Sequence, residues 1–234
     1  MSTEVYDVGC RMVTAANIEF GQGAYGATEV ERFAALDMGG GSVPRAQAWL
    51  RNVVRPLGHT PRRPDYSFRD LVSVFTIAHL SSCGVRLPQI RAAQEFLARR
   101  MDDPRPFSYN GLHTDGRDVY ADFKEPGQLT NVSRGGQETG RNLIEVHLKR
   151  VEFRAAEAFS ERRAEAWLPV EGVRVDPTIM LGAPCVADTR LPTAAVLQMV
   201  KRGITLEEIE FDYRVERDRL RQAIEFEEML VSVG

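Results

Sequence analysis

Cysteine is scarce in this 234-residue sequence, and its three copies, Cys10, Cys83 and Cys185, lie far apart. No C-x-x-C pair occurs, so the sequence signals neither a disulfide framework nor a cysteine zinc site. No apolar run approaches the roughly 18 residues of a transmembrane helix, and the N-terminal residues lack the apolar centre of a signal peptide. We therefore expect a cytoplasmic protein with no membrane contact.

Residues that could form a catalytic centre are also missing. The four histidines lie in unrelated contexts, and no Ser/His/Asp or Cys/His set can be defended. His113, Asp115 and Asp118 are possible metal ligands, but a turn at Asp115 and Gly116 explains this stretch without a metal. We expect no enzyme, no metal and no cofactor.

Neither sign of charge dominates the whole chain, because 30 Lys and Arg residues face 33 Asp and Glu residues for a net charge of −3. Taken alone, this balance counts against a nucleic-acid-binding protein. The distribution is uneven, however. Residues 38–64 carry five arginines and no acid, whereas residues 206–228 carry nine acids and four arginines, a net charge of −5. The two ends of the chain are therefore predicted to bind different partners.

Two short helices are predicted near the N-terminus. Thr28 and Glu31 have the spacing of a capping box, and the helix that they start should end near Asp37, before three consecutive glycines. Ser42 is predicted to cap a second helix, 43–53. Its predicted buried side chains are Ala46, Trp49, Leu50 and Val53. Two helices joined by a tight glycine turn are a candidate helix-turn-helix.

A proline- and glycine-rich stretch, 54–66, is predicted to be a loop or short hairpin that forms a wing. Ser67 should cap a third helix that runs to about Leu80. A fourth helix should start at Pro88 and break at the Asp-Asp-Pro sequence that follows Met101.

The rest of the chain changes character twice. Alternating apolar residues with Gly and Pro predict a β-rich stretch over about 107–175, although 154–166 is also compatible with a helix. Three helices should follow. The second is capped by Thr205 and Glu208, and the third spans about 216–230. On this third helix the expected buried residues are Leu220, Ala223, Ile224 and Met229 or Leu230.

The predicted fold class is mainly α with a small β-rich middle (α+β). It divides into an N-terminal extension (1–24), a winged helix-turn-helix (25–105), a β-rich connecting module (106–175) and a compact bundle of three helices (176–234).

The polar side chains of helix 43–53 are of the types that hydrogen-bond to base edges in the major groove of DNA. The cationic side chains of the wing can contact phosphates and set the register. The predicted DNA-binding residues are Arg45, Gln47, Arg51, Asn52, Arg55, His59, Arg62, Arg63 and Tyr66. A solvated basic face on an ordinary helical bundle is the alternative.

Residues 25–100 resemble the winged DNA-binding region of MerR-type regulators. The most specific part of this resemblance is the progression through Leu71, Leu80, Gly84 and Ile90. The sequence departs from such regulators in its three glycines at 39–41 and in lacking a long coiled coil after the fourth helix. The resemblance implies a winged helix-turn-helix that binds operator DNA.

The C-terminal part resembles domain of unknown function family 433. The matching segments, in order, are 176–179, 182–186, 188–191, 203–205, 208–209 and Tyr213. The family usually has glycine where this chain has Asp188. Members are helix-turn-helix-like and are typical of antitoxins of PIN-like ribonuclease toxins. Joined to a MerR-like N-terminus, the arrangement is similar to that of VapB-type antitoxins.

This resemblance implies direct contact with a toxin. A PIN-type nuclease gathers acidic residues around Mg²⁺ and has a basic RNA groove, so an inhibitor can offer an arginine to the acids or acids to the groove. The predicted toxin-binding residues are Arg190, Glu216, Asp218 and Glu225. Alternatively, Arg190 bonds to its own loop and the acids form a solvated helix face.

The leading hypothesis is a homodimeric antitoxin of a type II toxin–antitoxin system that represses its own operon. Its two recognition helices would enter successive major grooves, about 34 Å apart. The alternative is a MerR-like transcriptional regulator whose β-rich centre binds a small molecule and which has no toxin partner. The C-terminal unit, being helix-turn-helix-like, is a second possible DNA reader.

Overall fold

A computed structural model describes residues 22–40, 43, 46–54, 65–123, 129–139, 143–146 and 148–233. Over these residues the chain is mixed α and β, as the sequence predicts, with seven α-helices and several small sheets. None of the described helices is long and apolar enough to cross a bilayer. The helices are α1 (Ala27–Asp37), α2 (Ala46–Asn52), α3 (Phe68–Ser82), α4 (Leu87–Met101), α5 (Thr193–Lys201), α6 (Leu206–Tyr213) and α7 (Arg217–Ser232).

The described strands are short, and every pair is antiparallel. They are β1 (Tyr25–Gly26), β2 (Asp65–Tyr66), β3 (Leu112–Thr114), β4 (Val119–Asp122), β5 (Leu129–Asn131), β6 (Gln137–Thr139), β7 (Ile144–Glu145), β8 (Val151–Phe153), β9 (Ala164–Trp167), β10 (Val173–Arg174) and β11 (Cys185–Val186). The largest sheet has the order β6-β5-β4-β3-β7, and the other strands form the pairs β1–β2, β8–β9 and β10–β11.

The start of α1 differs from the prediction. The helix begins at Ala27 rather than after Thr28, and the N–H of Gly26 donates to Oε2 of Glu29 at 3.3 Å. The reason is tertiary: Gly26 is the last residue of β1 and pairs with Asp65 of β2, so the extended chain ends there and the helix follows at once. The predicted end at Asp37 is confirmed.

The other N-terminal helices follow their sequence signals. The predicted inner face of α2 is confirmed, because Ala46, Trp49, Leu50 and Val53 are all buried. The predicted cap Ser42 lies outside the described residues. Ser67 caps α3 by accepting from the N–H of Asp70, whose carboxylate accepts from Ser67 N at 2.7 Å. The helix α4 has its proline in the first turn, as predicted.

The middle of the chain is β-rich, as predicted, and the alternative helix over 154–166 is wrong. Only one turn of 3-10 helix, Phe159–Glu161, occurs in this stretch, and the chain then enters β9. Ala164 and Ala166 are buried while Glu165 is exposed. Alternating burial is typical of a strand that packs one of its faces on the core. This packing outweighs the helical propensity of the alanines.

Trp167, at the end of β9, joins the middle of the chain to the N-terminal helices. Its fully buried indole lies 5.2 Å from the ring of Phe33 on α1 and 5.0 Å from the ring of Phe75 on α3. Its Nε1 donates to Oδ1 of Asp37 at 3.1 Å, and Nε2 of His79 lies 3.2 Å from Oδ2 of the same carboxylate. Three segments of the sequence therefore meet at one buried carboxylate.

The C-terminal helices pack on one another and also join the core of the other described residues. The helix α7 packs against α5 and α6 and also contacts α1 and the strands β10 and β11. On α7 the buried residues are Leu220, Ala223 and Phe226, whereas Ile224 is only half-buried. The sequence prediction missed Phe226. Around the helix axis, Phe226 lies about 60° from the buried Ala223, whereas Ile224 lies about 100° from it on the other side. The buried face of α7 therefore includes Phe226 and leaves Ile224 at its edge.

We expect Asp37→Ala to lower the free energy of unfolding by about 1–3 kcal/mol, because the indole N–H of Trp167 would stay buried without its acceptor. Asp37→Asn should cost less, since an amide oxygen can still accept. Urea unfolding measures both losses. Arg32→Ala, at an exposed position of the same helix, is the control and should change stability by no more than about 0.5 kcal/mol. Equal losses in Asp37→Ala and Arg32→Ala would contradict the role given to Asp37.

Candidate protein-binding and DNA-binding surfaces

The predicted DNA-binding surface centres on α2, which packs against α1 and α3 through its buried face. Arg45, Arg55, His59, Arg62 and Arg63 lie outside the described residues. For Gln47, Arg51 and Asn52 the structure describes the backbone of α2.

Tyr66 is the one predicted DNA-binding residue whose side chain is described. It pairs with Tyr25 between β2 and β1 and is only 1% exposed. Contact with a phosphate requires a hydroxyl at the surface, so the buried Tyr66 is a core residue and the prediction that it binds DNA is not supported.

The four predicted toxin-binding residues are all exposed. Glu216 and Asp218 lie at the start of α7, with their side chains 84% and 81% exposed. Asp218 accepts from Nη1 of Arg221 at 2.6 Å, an exposed ion pair within one helical turn. Arg190 lies in the turn between β11 and α5, and Glu225 lies farther along α7.

An arginine of α7 brings two of these residues into one neighbourhood. Nη1 of Arg219 donates to the carbonyl of Ala187 at 3.1 Å and to Oδ2 of Asp188 at 3.2 Å. This clamp ties the turn that carries Arg190 to the first turn of α7, where Glu216 lies. Glu225 is nine residues from Glu216, about 13 Å along the helix axis, and is not part of this neighbourhood.

The turn before Arg190 keeps a left-handed residue despite lacking the expected glycine. Asp188 has a φ of +62°, a conformation that aspartate adopts more readily than most residues. The hydroxyl of Thr189 donates to the carbonyl of Val186 at 2.8 Å and accepts from the N–H of Leu191 at 3.1 Å. These bonds fix the turn and leave the Arg190 side chain exposed.

Sequence reasoning missed two exposed aromatic residues on α6. Phe211 is 84% exposed and Tyr213 is 49% exposed, whereas Ile209 on the same helix is buried. Phe211 lies about 200° around the helix from Ile209, so it cannot share its buried face. A phenylalanine on the polar side of a predicted amphipathic helix was the signal available in the sequence.

The acids of α6 are held in place by neighbouring residues. The predicted capping box is confirmed: Thr205 N donates to Oε2 of Glu208 at 2.8 Å, and this bond holds the pKa of Glu208 below its usual range. Arg217 lies 2.8 Å from a carboxylate oxygen of Glu207 and 2.8 Å from one of Glu210. Two of the acids of α6 are thus paired with an arginine of α7, and a third closes the capping box.

A separate cavity of about 400 Å³ lies between the ends of α1 and α3 and the segment that follows β7. It is lined mainly by charged and polar groups of both signs. The lining residues are Asp37, His79, Cys83, Glu145, Val146, Lys149 and Arg150.

The C-terminal part of the chain is similar to a known protein family. Residues 173–226, from β10 to the buried Phe226 of α7, match the family described as "Protein of unknown function (DUF433)". A protein of Mycobacterium tuberculosis described as "Putative antitoxin VapB45" is 27% identical over 194 residues, covering 77% of this chain and 78% of that protein. Together these matches support a relationship to antitoxins.

A solved structure has a similar fold. The crystal structure of Rv2018 from Mycobacterium tuberculosis superposes with a TM-score of 0.56 at 18% identity, over 88% of this chain and 100% of that one. The likeness therefore extends beyond the C-terminal helices to the N-terminal and middle parts of the fold.

Glu227 on α7 provides a pH test of how α5 and α7 pack. Its half-buried carboxylate accepts from the hydroxyl of Thr193, and burial raises its pKa above the ordinary value. An acid with a raised folded-state pKa destabilises the fold when ionised. The destabilisation is absent below the unfolded-state pKa and grows as the pH rises through the folded-state value.

We therefore expect Glu227→Gln to be more stable than the wild type at pH 8, with the difference vanishing toward pH 4. Urea unfolding across this pH range measures it. Glu225→Gln removes the same charge from an exposed position of the same helix and should not reproduce the effect. A constant difference between Glu227→Gln and the wild type at every pH would show that the carboxylate has no raised pKa.

Proposed function

We propose that this protein is the antitoxin of a type II toxin–antitoxin system. It binds and inhibits a PIN-like ribonuclease toxin in the cytoplasm and represses its own operon as a homodimer. The observation that carries this proposal is the match to a protein described as an antitoxin, which extends over more than three quarters of both chains. The separate family match over residues 173–226 supports it.

Binding of operator DNA is assigned to α2 and the segment after it. The apolar side of α2 faces the core, and residues 38–64 carry five arginines without a single acid. In the proposed dimer, each α2 enters a major groove. Arg45, Gln47, Arg51 and Asn52 then meet base edges, while Arg55, His59, Arg62 and Arg63 contact phosphates.

Inhibition of the toxin is assigned to the C-terminal helices. Arg190 and Glu216 project from elements that Arg219 clamps together, so they present one cation and one anion from a fixed frame. Arg190 reaches the acidic residues that hold Mg²⁺ in the nuclease, and Glu216, Asp218 and Glu225 face its basic RNA groove. Both contacts would prevent RNA from binding.

A second candidate function is supported by the 400 Å³ cavity beside β7. A MerR-like regulator that senses a small molecule needs such a site next to its DNA-binding helices, and Asp37 and His79 belong to α1 and α3. The presence of cations and anions in its lining favours a polar ligand.

The DNA-binding part of the proposal predicts the effect of the double substitution Arg45→Ala, Arg51→Ala. Affinity for the operator should fall at least about 30-fold, because each arginine that reads a guanine contributes about 1–3 kcal/mol of discrimination. Fluorescence anisotropy at one fixed salt concentration measures binding to the promoter of the operon and to scrambled DNA.

The matched control is Arg91→Ala, Arg99→Ala, which removes the same charge from exposed positions on α4 and should have little effect on operator binding. Equal losses on the operator and on scrambled DNA in the first variant would show that Arg45 and Arg51 contact only phosphates.

The toxin-binding part predicts that co-expression with a nuclease encoded by the adjacent gene yields a stable complex and restores growth. Affinity purification and plating efficiency measure the two outcomes. If neither complex nor rescue is obtained, the antitoxin proposal is wrong and the small-molecule regulator becomes the better hypothesis.

A further inference from the structure

The cavity beside β7 has the size and position of a binding site for a small molecule. Its volume is about 400 Å³, and small-molecule sites usually enclose roughly 300–1,000 Å³. Its walls come from three separate parts of the chain, which are the end of α1, the end of α3 and the segment 145–150. The charges of these walls decide which class of ligand fits.

The buried acid in the wall is not available to a ligand. Oδ1 of Asp37 accepts from Nε1 of Trp167 at 3.1 Å, and Oδ2 lies 3.2 Å from Nε2 of His79. The Asp37 side chain is only 3% exposed. Because both of its oxygens have partners within the protein, a cationic ligand would have to displace one of those partners to bind there.

The ends of α1 and α3 do not attract a cation strongly either. The last carbonyls of a helix carry a partial negative charge when they lack hydrogen-bond partners. At the end of α1, the carbonyls of Ala34, Ala35 and Leu36 accept from backbone N–H groups at 3.1, 2.8 and 3.0 Å. At the end of α3, the carbonyls of His79 and Leu80 do so at 3.0 and 3.1 Å. These carbonyls are therefore already satisfied within the protein.

The cations of the wall, in contrast, can accept a ligand. Lys149 and Arg150 are adjacent and exposed. Nη1 of Arg150 donates to the carbonyl of Leu36 at 3.0 Å, which holds the guanidinium against α1. That bond uses one of the five N–H donors of the guanidinium. Lys149 has no hydrogen-bond or ion-pair partner among the described residues. Two positive groups in one wall can bind the negative groups of a ligand.

One further acid, Glu145, belongs to the wall. It stands opposite His113 in the antiparallel register of β7 and β3. Burial lowers the pKa of His113, and the charge of Glu145 acts against this shift, so the two side chains interact. Within the described ranges, no group of three or more His, Cys, Asp or Glu residues is placed to hold a metal ion. The wall therefore favours an anionic ligand over a metal ion.

We propose that this cavity binds a small multivalent anion that carries carboxylate or phosphate groups. Lys149 and Arg150 bind the negative groups, and the ends of α1 and α3 form the other walls. The proposal rests on the second candidate function, because it names the ligand class of that regulator. It does not depend on the antitoxin function.

The test uses the full chain, with citrate and inorganic phosphate as probes at one fixed ionic strength. Isothermal titration calorimetry measures their affinities, and spermidine and glucose are the cationic and neutral controls. At least one of the two anions should bind with a saturating isotherm, and the tighter one identifies carboxylate or phosphate as the recognised group. Spermidine and glucose should not bind. A lack of saturable binding by both anions would show that the proposal is wrong.

Variants of Lys149 locate the site. Lys149→Ala should weaken binding of the anion at least about tenfold, because one charge-assisted hydrogen bond is lost. Lys149→Arg should bind better than Lys149→Ala, since it keeps the positive charge. The matched control is Arg91→Ala, which removes a charge from an exposed position on α4 and should leave the affinity unchanged. Equal affinities of Lys149→Ala and the wild type would overturn the site, provided that circular dichroism shows both to be folded.

The indole of Trp167 provides a readout that depends on position. Its N–H bonds to Asp37 in the cavity wall, so saturation with the anion should shift its signal in a ¹H–¹⁵N correlation spectrum. The indole of Trp49, on α2, does not line the cavity and serves as the internal control. Equal shifts of both signals, or shifts that do not saturate, would show that the anion binds the surface without a defined site.

Glu145→Gln tests the sign of the ligand charge. It should tighten binding of the anion by about twofold to fivefold, because a like charge leaves the wall. Weaker binding of the anion by this variant, or tighter binding of spermidine than of citrate and phosphate by the wild type, would overturn the choice of an anion.

Operator binding separates this proposal from the function on which it rests. Fluorescence anisotropy measures the affinity for the promoter of the operon with and without the anion. If the anion binds in the cavity and the operator affinity stays the same, the ligand site stands and the small-molecule regulator is wrong. If neither anion binds, the ligand site is wrong, whereas the antitoxin function is unaffected.

Discussion

The buried contact between Trp167 and Asp37 is the constraint on which the rest of the fold depends. The indole fills the space between Phe33 and Phe75, and its N–H requires the carboxylate at the end of α1. Because that carboxylate is only 3% exposed, it needs both of its described partners, Trp167 and His79. Nη1 of Arg150 adds a further tie by donating to the carbonyl of Leu36 at 3.0 Å. The end of α1, the last turn of α3 and the strand β9 are thereby held together.

A second long-range contact extends this core to the C-terminal part. The hydroxyl of Tyr25 donates to the carbonyl of Gly182 at 3.0 Å, and the N–H of Ala24 donates to the carbonyl of Leu181 at 3.1 Å. Met180 and Leu181, with φ values of +47° and +56°, adopt left-handed conformations that are strained for such residues. The strand that precedes α1 is thereby tied to the segment between β10 and β11.

The candidate surfaces were predictable from the sequence to different degrees. The charge separation along the chain and the exposure of Arg190, Glu216, Asp218 and Glu225 followed from residue type alone, because charged side chains seldom leave water. The clamp that Arg219 makes between α7 and the turn at Asp188 was not predictable, since it joins residues 31 positions apart. The exposure of Phe211 was not predicted, because only the packing of Ile209 decides which side of α6 is buried.

By itself the sequence determined where most of the helices lie and that the middle of the chain is rich in strands. Caps such as Ser67 with Asp70 and Thr205 with Glu208 act within one turn, so local residues suffice to specify them. The tertiary structure decided where α1 starts, that 154–166 is not a helix, and that the segments share one core. Those features depend on residues far away in the chain. The pairing of β1 with β2 decides where α1 starts, and Trp167 bonds to Asp37, 130 residues earlier in the sequence. A local pattern cannot specify a contact whose other half lies elsewhere in the sequence.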